Sequence, residues 1–274
     1  MRTPLPTLSL VVPSFNQAPY LRACFDSILS QEYPALELIV MDGGSTDGSK
    51  ALIEKYSGHF AHWQSERDGG QGNAINAGFA RASGTLFTWL NSDDTLLPGA
   101  LWQVVESWCN DPGQDVLYGD HVDIDATGRI VDRYYHPRFH NRLAWWTVPY
   151  IAQQGTVFTR ALWEAVGGID AKLHCMLDYD LWFRFMKHGA RFGHVGRALG
   201  GFRRHSESKG GSWHETYARE RAQVAEHYKA EFGSPLTRKL ARGAFVCWQA
   251  ANGNYARTLS FRLTTQRRLR RYQP

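Results

Sequence analysis

Residues 85–94 read TLFTWLNSDD, a short apolar run that ends in two adjacent carboxylates, Asp93 and Asp94. A run of this length, rich in aromatic and β-branched residues, is typical of a buried strand. Carboxylates avoid burial unless they are paired or bound to a cation. The stretch therefore predicts a strand whose carboxyl end faces a positively charged group.

Apolar runs and amphipathic helical patterns alternate along the first 110 residues. They predict strands at 8–12, 36–42, 62–66 and 85–90, and helices at 19–31, 49–56, 70–83 and 98–108, the last with Pro98 in its first turn. This alternation is typical of an α/β fold with an open, mostly parallel central sheet flanked by helices. Ligands of such sheets bind beyond the carboxyl ends of the strands. That rule places four segments along one rim, at 13–16, 42–44, 66–70 and 91–94.

The alternation stops after residue 111. The segment VLYGDHVDIDATGRIVD (116–132) predicts two antiparallel strands around a turn at 126–128. Further helical patterns lie at 160–166, 179–188, 214–232 and 236–263. We therefore expect a small antiparallel region after the parallel sheet, and a C-terminal helical extension from residue 214.

Composition and cysteine spacing limit the class of protein. The 274 residues are 43% hydrophobic and 21% charged, so a large core can form. Four cysteines, at positions 24, 109, 175 and 247, form no CxxC pair, which argues against a zinc site or a disulfide framework. No apolar stretch approaches the roughly 18 residues of a membrane span, and the first residues lack a signal-peptide pattern. These features predict a cytoplasmic protein.

Charge is distributed unevenly. Residues 232–274 contain nine Lys or Arg and no acidic residue, whereas the preceding residues contain 22 basic and 26 acidic side chains. As a basic amphipathic helix, the extension would lie on an anionic membrane with Phe245 and Trp248 inserted, peripheral to the inner face of the plasma membrane. The alternative is a helix packed on the body with a solvated tail. No nucleic-acid-binding motif accompanies the charge, so no nucleic-acid partner is expected.

Two common nucleotide-binding motifs are absent. The first strand-to-helix turn reads PSFNQAPY, without GxGxxG, and no GxxxxGK[ST] occurs anywhere. These absences argue against a dinucleotide-binding enzyme and a P-loop NTPase. A sugar-phosphate nucleotidyltransferase should carry a Gly-rich basic loop after its first strand, and PSFNQ is not such a loop.

Several motifs occur together in one order: VVPSFNQAPYLRACFDSILSQEYPALELIVMDGGSTDGS, SERDGGQGNAINAGFARASG, LNSDD, QGTVFTRALWEAVGGID, LDYDLWFRF and FRRHSES. Over residues 7–210, approximately, this series resembles the family 2 glycosyltransferases, inverting enzymes of the GT-A fold, here of the kind that builds bacterial cell-surface polysaccharides and glycans. The resemblance implies a glycosyltransferase domain at 1–213, with a nucleotide-binding half at 1–110 and an acceptor-side half at 111–213. Residues 214–274 form the extension.

The resemblance also implies which residues bind the donor, a nucleotide-diphosphate sugar with UDP as the expected nucleotide. A carboxylate such as Asp42 can accept a hydrogen bond from a base, and Gly43 leaves room for that base to approach the backbone. The expected nucleotide-binding residues are Pro13, Ser14, Asn16, Asp42, Gly43, Asp68, Gly69, Asn91, Ser92 and Asp93. Asp93 matches the metal-binding carboxylate of the family, and the implied cofactor is Mg²⁺ or Mn²⁺.

The other residues to which the resemblance assigns a role lie in the second half of the chain. Asp178, in LDYDLW, matches the family's general base, which takes the proton of an acceptor hydroxyl on a glycan or lipid-linked acceptor. Asp180 is the second candidate for that role, although a helix-stabilising acid explains it better. Arg203 and Arg204 are implied to contact the phosphates, and His205 to be a second metal ligand.

Two positions depart from the family pattern. Asn91 replaces the first acid of the common metal-binding motif, and Leu177 replaces the glutamate that usually precedes the base. Both changes remove a negative charge. They leave open an alternative function, a catalytically silent nucleotide-sugar or glycan-binding module on the same fold.

Overall fold

The computed structural model describes residues 4–146, 150–206, 214–251, 253–254 and 256–261. Within these ranges, nine strands form one sheet in the order β3-β2-β1-β4-β8-β6-β9-β5, with β7 paired to β6. The strands are β1 (Leu8–Ser14), β2 (Leu36–Asp42), β3 (His62–Ser65), β4 (Leu86–Trp89), β5 (Thr95–Leu96), β6 (Val116–Ile124), β7 (Ile130–Tyr134), β8 (Val157–Thr159) and β9 (Phe192–Arg203).

Most strands of this sheet point in one direction. β1 to β4 pair in parallel, and β8 runs antiparallel to both β4 and β6, so β6 has the direction of β4. β9 pairs in parallel with β6, whereas β5 and β7 are antiparallel to their partners. The α/β fold with a mostly parallel sheet and a small antiparallel region is therefore confirmed.

Eight of the nine α-helices in the described residues lie where the sequence patterns indicated, with some shifted ends, whereas the helix at 141–146 was not predicted. The nine helices are α1 (Ala18–Leu29), α2 (Ser49–Tyr56), α3 (Gln71–Phe79), α4 (Ala100–Asn110), α5 (Asn141–Trp146), α6 (Arg160–Val166), α7 (Leu177–His188), α8 (His214–His227) and α9 (Pro235–Ala251). The prediction that Pro98 lies in the first turn of α4 is wrong. Gly99, at φ 75°, precedes the helix and reverses the chain, a conformation that glycine adopts without strain.

The core lies on both faces of the sheet because neighbouring residues of a strand point in opposite directions. In β1, Leu8, Leu10 and Val12 belong to one hydrophobic cluster, and Val11 belongs to the other. β1 is central, because Leu8 pairs with Leu36 of β2 on one side and with Leu86 of β4 on the other. The register brings the ends of β1 and β2 level, with Ser14 opposite Asp42.

The C-terminal helices pack on the body of the protein. Val224 of α8 and Tyr228, the residue directly after that helix, are buried in the same hydrophobic cluster as Trp182 and Phe183 of α7. The extension predicted from residue 214 therefore shares a hydrophobic core with the domain that precedes it. The described part of the chain contains no helix with the length and apolar composition that a bilayer crossing requires.

Phe245 does not lie where a membrane-inserted residue would. Its ring centroid is 4.9 Å from that of Tyr150, so it packs on the body of the protein. Trp248, whose ring lies 6.3 Å from Phe245, is half-buried. Insertion of these two side chains into a membrane is therefore not compatible with this packing.

Glu220 of α8 joins the extension to the start of α7. Its side chain is 2% exposed, and its carboxylate accepts backbone hydrogen bonds from His174 (2.9 Å), Cys175 (2.8 Å) and Met176 (3.1 Å). The residue before α7, Met176, supplies no side-chain cap of its own. Glu220 therefore satisfies the N–H of the N-cap residue and two N–H groups of the turn that leads into α7.

We expect Glu220→Ala to lower the free energy of unfolding by about 3 kcal/mol, because three backbone N–H groups, that of Met176 buried, lose a charged acceptor. Urea unfolding followed by tryptophan fluorescence measures the change. Glu226→Ala is the matched control on the same helix. Its carboxylate is exposed in a pair with Lys229, so we expect an effect below about 0.5 kcal/mol. Equal losses in the two variants would contradict the structural role given to Glu220.

Candidate functional site

A large cleft of about 560 Å³ opens at the carboxyl ends of β1, β2 and β4. It is here called the large cleft. Eight of the ten residues predicted to bind the nucleotide line it: Pro13, Ser14, Gly43, Asp68, Gly69, Asn91, Ser92 and Asp93. The rule that placed the four rim segments together is thus supported by the geometry, since these residues come from four separate loops.

Asn16 and Asp42, the other two predicted nucleotide-binding residues, do not line the large cleft. Asp42 is 1% exposed and accepts hydrogen bonds from the backbone N–H of Ser45 (2.9 Å) and the hydroxyl of Ser65 (2.6 Å). Asn16, at φ 52°, accepts a bond from the N–H of Thr46 (2.9 Å). Both side chains hold the loops together underneath the cleft.

The loop that carries Asp68 packs closely against Gly43. A Cβ atom at Gly43 would lie 3.1 Å from a carboxylate oxygen of Asp68, so a larger residue there would displace this side chain. Asp68 in turn accepts a hydrogen bond from the N–H of Gly70 (2.8 Å), and Gly69 has φ 77°. The two glycine-rich loops therefore fix the position of the Asp68 carboxylate on the cleft wall.

The adjacent acids Asp93 and Asp94 have different surroundings. Asp93 lines the large cleft, whereas Asp94 is 1% exposed. Asp94 accepts hydrogen bonds from the backbone N–H of Arg203 (2.8 Å) and from the side-chain amide of Gln154 (2.8 Å). Burial raises the pKa of Asp94 well above its usual range, and the nearby Asp93 carboxylate raises it further. Asp94 thus holds the loop, and Asp93 faces the cleft.

His205 and Asp93, the two predicted metal ligands, are neighbours in space. Nε2 of His205 lies 3.0 Å from Oδ2 of Asp93, and the imidazole packs 4.5 Å from the ring of Tyr20. A carboxylate oxygen and an imidazole nitrogen are both suitable ligands for Mn²⁺. The described residues contain no group of three or more His, Cys, Asp or Glu placed to hold a metal. A cation here would need oxygen ligands from elsewhere, such as a diphosphate.

The two arginines predicted at the phosphates lie elsewhere. Arg203 ends β9 and is 2% exposed, its Nε donates to the backbone oxygen of Asp93 (2.6 Å), and its guanidinium lies 5.1 Å from the ring centroid of Tyr20. Arg204 pairs with the buried carboxylate of Asp123. Neither arginine lines the large cleft. The contacts of both arginines depend on β9, a strand that the sequence patterns did not indicate.

Arg67 and His174 do line the large cleft, and sequence reasoning passed over both. Arg67 precedes Asp68 in SERDGG, inside a rim segment, so its position could have been noticed. His174 is brought to the cleft by the turn that Glu220 binds, a contact between residues 46 positions apart. No local pattern marks such a contact.

Asp178, the predicted base, lies in the first turn of α7 and lines a second cavity of about 230 Å³, here called the small cavity. The small cavity and the large cleft share Phe202. Asp180 forms an ion pair with Arg184 (2.8 Å) and accepts a hydrogen bond from the hydroxyl of Tyr228 (3.0 Å). These contacts agree with the helix-stabilising interpretation of Asp180.

The site can be compared with known proteins. The family model for Glycosyl transferase family 2 matches residues 9–166. A chondroitin synthase of Pasteurella multocida is 28% identical over 196 residues, which are 70% of this chain and 20% of that protein. An uncharacterized glycosyltransferase of Mycobacterium tuberculosis is 33% identical over 187 residues, 66% of this chain and 70% of that protein. The chain thus spans only about a fifth of the chondroitin synthase.

Solved structures show the same fold. S. aureus TarS residues 1–349 in complex with UDP-GlcNAc aligns with a TM-score of 0.62 and 17% identity, over 85% of this chain and 72% of that one. The mannosyltransferase PcManGT of Pyrobaculum calidifontis, in complex with GDP-Man and Mn²⁺, aligns with a TM-score of 0.59 and 20% identity, over 99% and 82%. The fold is therefore of the GT-A kind. Together with the family match over more than half of its length, this establishes that the chain belongs to glycosyl transferase family 2.

Proposed function

We propose that this glycosyltransferase moves a sugar, with inversion, from a nucleotide-diphosphate sugar to a hydroxyl of a glycan or lipid-linked acceptor. The observation that carries the proposal is the pairing of two adjoining spaces. The large cleft presents Asp68 and Asp93 at the strand ends, and the small cavity presents Asp178. Synthesis of a cell-surface polysaccharide or glycan is the proposed context, and the name of the similar chondroitin synthase supports the polysaccharide part of it.

For the donor, we propose that the nucleoside diphosphate occupies the large cleft. The similar structures were determined with UDP-GlcNAc and with GDP-Man, which share a nucleoside diphosphate joined to a sugar. UDP is our expected nucleotide. Arg67 replaces Arg203 and Arg204 as the proposed cationic contact, because its side chain lines the cleft.

A divalent cation fits the proposed donor site. Asp93 and His205 would hold Mg²⁺ or Mn²⁺, and such ions are often bound by one or two protein groups together with substrate phosphates. The bound cation supplies a positive charge that offsets the charge developing on the departing diphosphate. Arg203 keeps the backbone of Asp93 in place from beneath, so the carboxylate is already oriented before the donor arrives.

We propose that Asp178 is the general base. In a direct displacement the acceptor oxygen bonds to the anomeric carbon as the bond to the diphosphate breaks, and the carboxylate takes the hydroxyl proton. Asp178 lines the small cavity, which adjoins the large cleft at Phe202, so the proposed base and the proposed donor site are neighbours. The fixed start of α7, bonded to Glu220, orients this carboxylate.

The alternative, a silent binding module, is favoured only by the substitutions at Asn91 and Leu177. Asn91 accepts a hydrogen bond from the side-chain amide of Gln71 (2.6 Å) and donates one to Asp94 (3.3 Å). An amide makes both contacts, whereas a carboxylate would place a third negative charge beside Asp93 and Asp94. The asparagine is thus compatible with an active site.

We propose that the C-terminal extension contacts an anionic membrane surface through the outward face of α9, so that the protein acts at the inner face of the plasma membrane. Leu236 and Leu240 are each 66% exposed on this face, and Val246 is 52% exposed. Lys239 and Arg242 are exposed beside them. Such a face suits anionic lipid, with Phe245 directed to the body.

Nucleotide binding tests the donor site. We expect one of UDP, GDP and dTDP to bind in the presence of Mn²⁺ and to bind at least about tenfold more weakly with EDTA or in Asp93→Asn, because the cation loses a protein ligand. Isothermal titration calorimetry measures the affinity, and electron paramagnetic resonance of Mn²⁺ reports the metal. Glu106→Gln, an exposed change on α4, is the control. Nucleotide binding that is indifferent to metal and to Asp93 would overturn the metal assignment.

Turnover tests the base. We expect Asp178→Asn to lower kcat for nucleoside diphosphate release from the donor sugar by about 10²–10⁴-fold, with nucleotide affinity unchanged. Asp180→Asn should instead lower thermal stability, because it breaks the pair with Arg184, and leave most of the activity of the folded protein. If Asp180→Asn abolished turnover and Asp178→Asn did not, Asp180 would be the base and Asp178 would not. A wild-type protein that binds nucleotide without turnover would support the silent module.

Vesicle binding tests the extension. We expect co-sedimentation with phosphatidylglycerol vesicles and not with phosphatidylcholine vesicles, and we expect Leu240→Glu to weaken it at least about tenfold. Ala225→Glu adds the same charge to the exposed side of α8 and serves as the control. Binding that is equal for both lipids, or equal in both variants, would contradict the proposed surface.

A further inference from the structure

The small cavity has a wall that the donor site does not explain. Besides Asp178 and Phe202, it is lined by His121, His136, Tyr150, Ile151, Ala152, Gln153, Gln154 and Tyr179. Gln154 connects this wall to the large cleft, because its amide donates to Asp94, the neighbour of Asp93. The small cavity has a volume of about 230 Å³, below the roughly 300–1,000 Å³ of pockets that enclose larger ligands. A cavity of this size suits a ligand with a single ring.

Gln153 provides a hydrogen-bond acceptor at this wall. Its side chain is 6% exposed, and its amide nitrogen donates to the backbone oxygen of Trp89. Its amide oxygen, Oε1, has no hydrogen-bond partner among the described residues. A buried amide oxygen that lacks a hydrogen-bond partner is unfavourable. Because Oε1 is itself buried, a small shift of the side chain would let a ligand hydroxyl donate to it.

His121 and His136 form a pair at the same wall. Nδ1 of His121 lies 2.8 Å from Nε2 of His136, and the two rings are stacked with centroids 5.0 Å apart. Tyr134 stacks on His121 at 4.7 Å, and Asp120 accepts the backbone N–H of His136 (2.8 Å). Burial lowers the pKa of His121 to about 4 and that of His136 to about 3. Both imidazoles are therefore uncharged near neutral pH.

The remaining lining suits the rings and hydroxyl groups of a sugar. Tyr150, Tyr179 and Phe202 offer aromatic faces, on which the C–H groups of a sugar ring can pack. Among the lining residues that the structure describes, Asp178 is the one acidic side chain, and no Lys or Arg is present. An anionic group here would meet a like charge without a cation to pair with it.

We propose that the small cavity binds an uncharged sugar ring of the acceptor, and that Gln153 with the His121–His136 pair selects it over an acidic sugar. The inference rests on the proposed function, because it places the acceptor hydroxyl beside Asp178. The uncharged imidazoles and the amide oxygen exchange hydrogen bonds with ring hydroxyls without attracting a carboxylate. Selection thus comes from polar groups that carry no charge, next to the single carboxylate of the base.

Saturation-transfer NMR on the full chain tests the inference with matched probes. The probes are the methyl glycosides of glucose, galactose and mannose, each beside its uronate, which replaces CH₂OH by a carboxylate. They are added with UDP and Mn²⁺. We expect at least one uncharged glycoside to bind, and its uronate to bind at least about tenfold more weakly. A uronate that binds as well as its uncharged partner, or the absence of binding by every glycoside, would overturn the inference.

Two variants assign the selection to the wall. His121→Phe keeps the ring stacked on Tyr134 and removes both nitrogens, and Gln153→Leu removes the amide. We expect each to weaken glycoside binding at least about tenfold, with nucleotide affinity unchanged. His188→Phe, at the exposed end of α7, is the control. Wild-type glycoside binding in the folded His121→Phe variant would overturn the role of the pair. Glycoside binding without any nucleotide binding would instead refute the proposed transfer and leave the sugar site standing.

Discussion

The site depends on one buried carboxylate, that of Asp94. It accepts hydrogen bonds from the backbone of Arg203 at the end of β9, from Gln154 before β8 and from Asn91 at the end of β4. Three segments that are far apart in the sequence are therefore joined at one residue. Since its pKa is raised by burial, the group tolerates its position only with these bonds in place. The large cleft and the small cavity both border this junction.

Asp93, the residue directly before Asp94, lines the large cleft instead of the interior. Its backbone oxygen is held by Arg203, and its carboxylate turns to His205 and the large cleft. The two acids face different surroundings because the chain turns tightly after β4. In this turn the backbone N–H of Asp94 donates to the backbone oxygen of Asn91 (3.0 Å). Asp93, the carboxylate proposed to bind the cation, is thus held in place by the structural carboxylate of Asp94, and the guanidinium of Arg203 has a structural role.

The first half of the chain was predictable because its signals are local. Strands β1 to β4 and their helices have clear periodicities, and the rule that ligands bind beyond the strand ends then places most of the residues proposed to bind the nucleotide along one rim. The second half depends on β9, where the pattern GHVGRALGG has few large apolar residues. Without that strand, Arg203 could not be placed under the Asp93 loop. Glu220, His174 and the His121–His136 pair act through contacts between distant residues, which no spacing in the sequence marks.

The family match ends at residue 166, before Asp178, His205 and Glu220. Asp68 and Asp93, which we propose to contact the donor, therefore lie in the part of the chain that the family model covers, and the proposed base does not. The extension contacts the chain before and after that boundary. Glu220 binds the turn before α7, and Phe245 packs on Tyr150, which lines the small cavity. Because Glu220 also binds His174, which lines the large cleft, the extension contacts residues of both spaces.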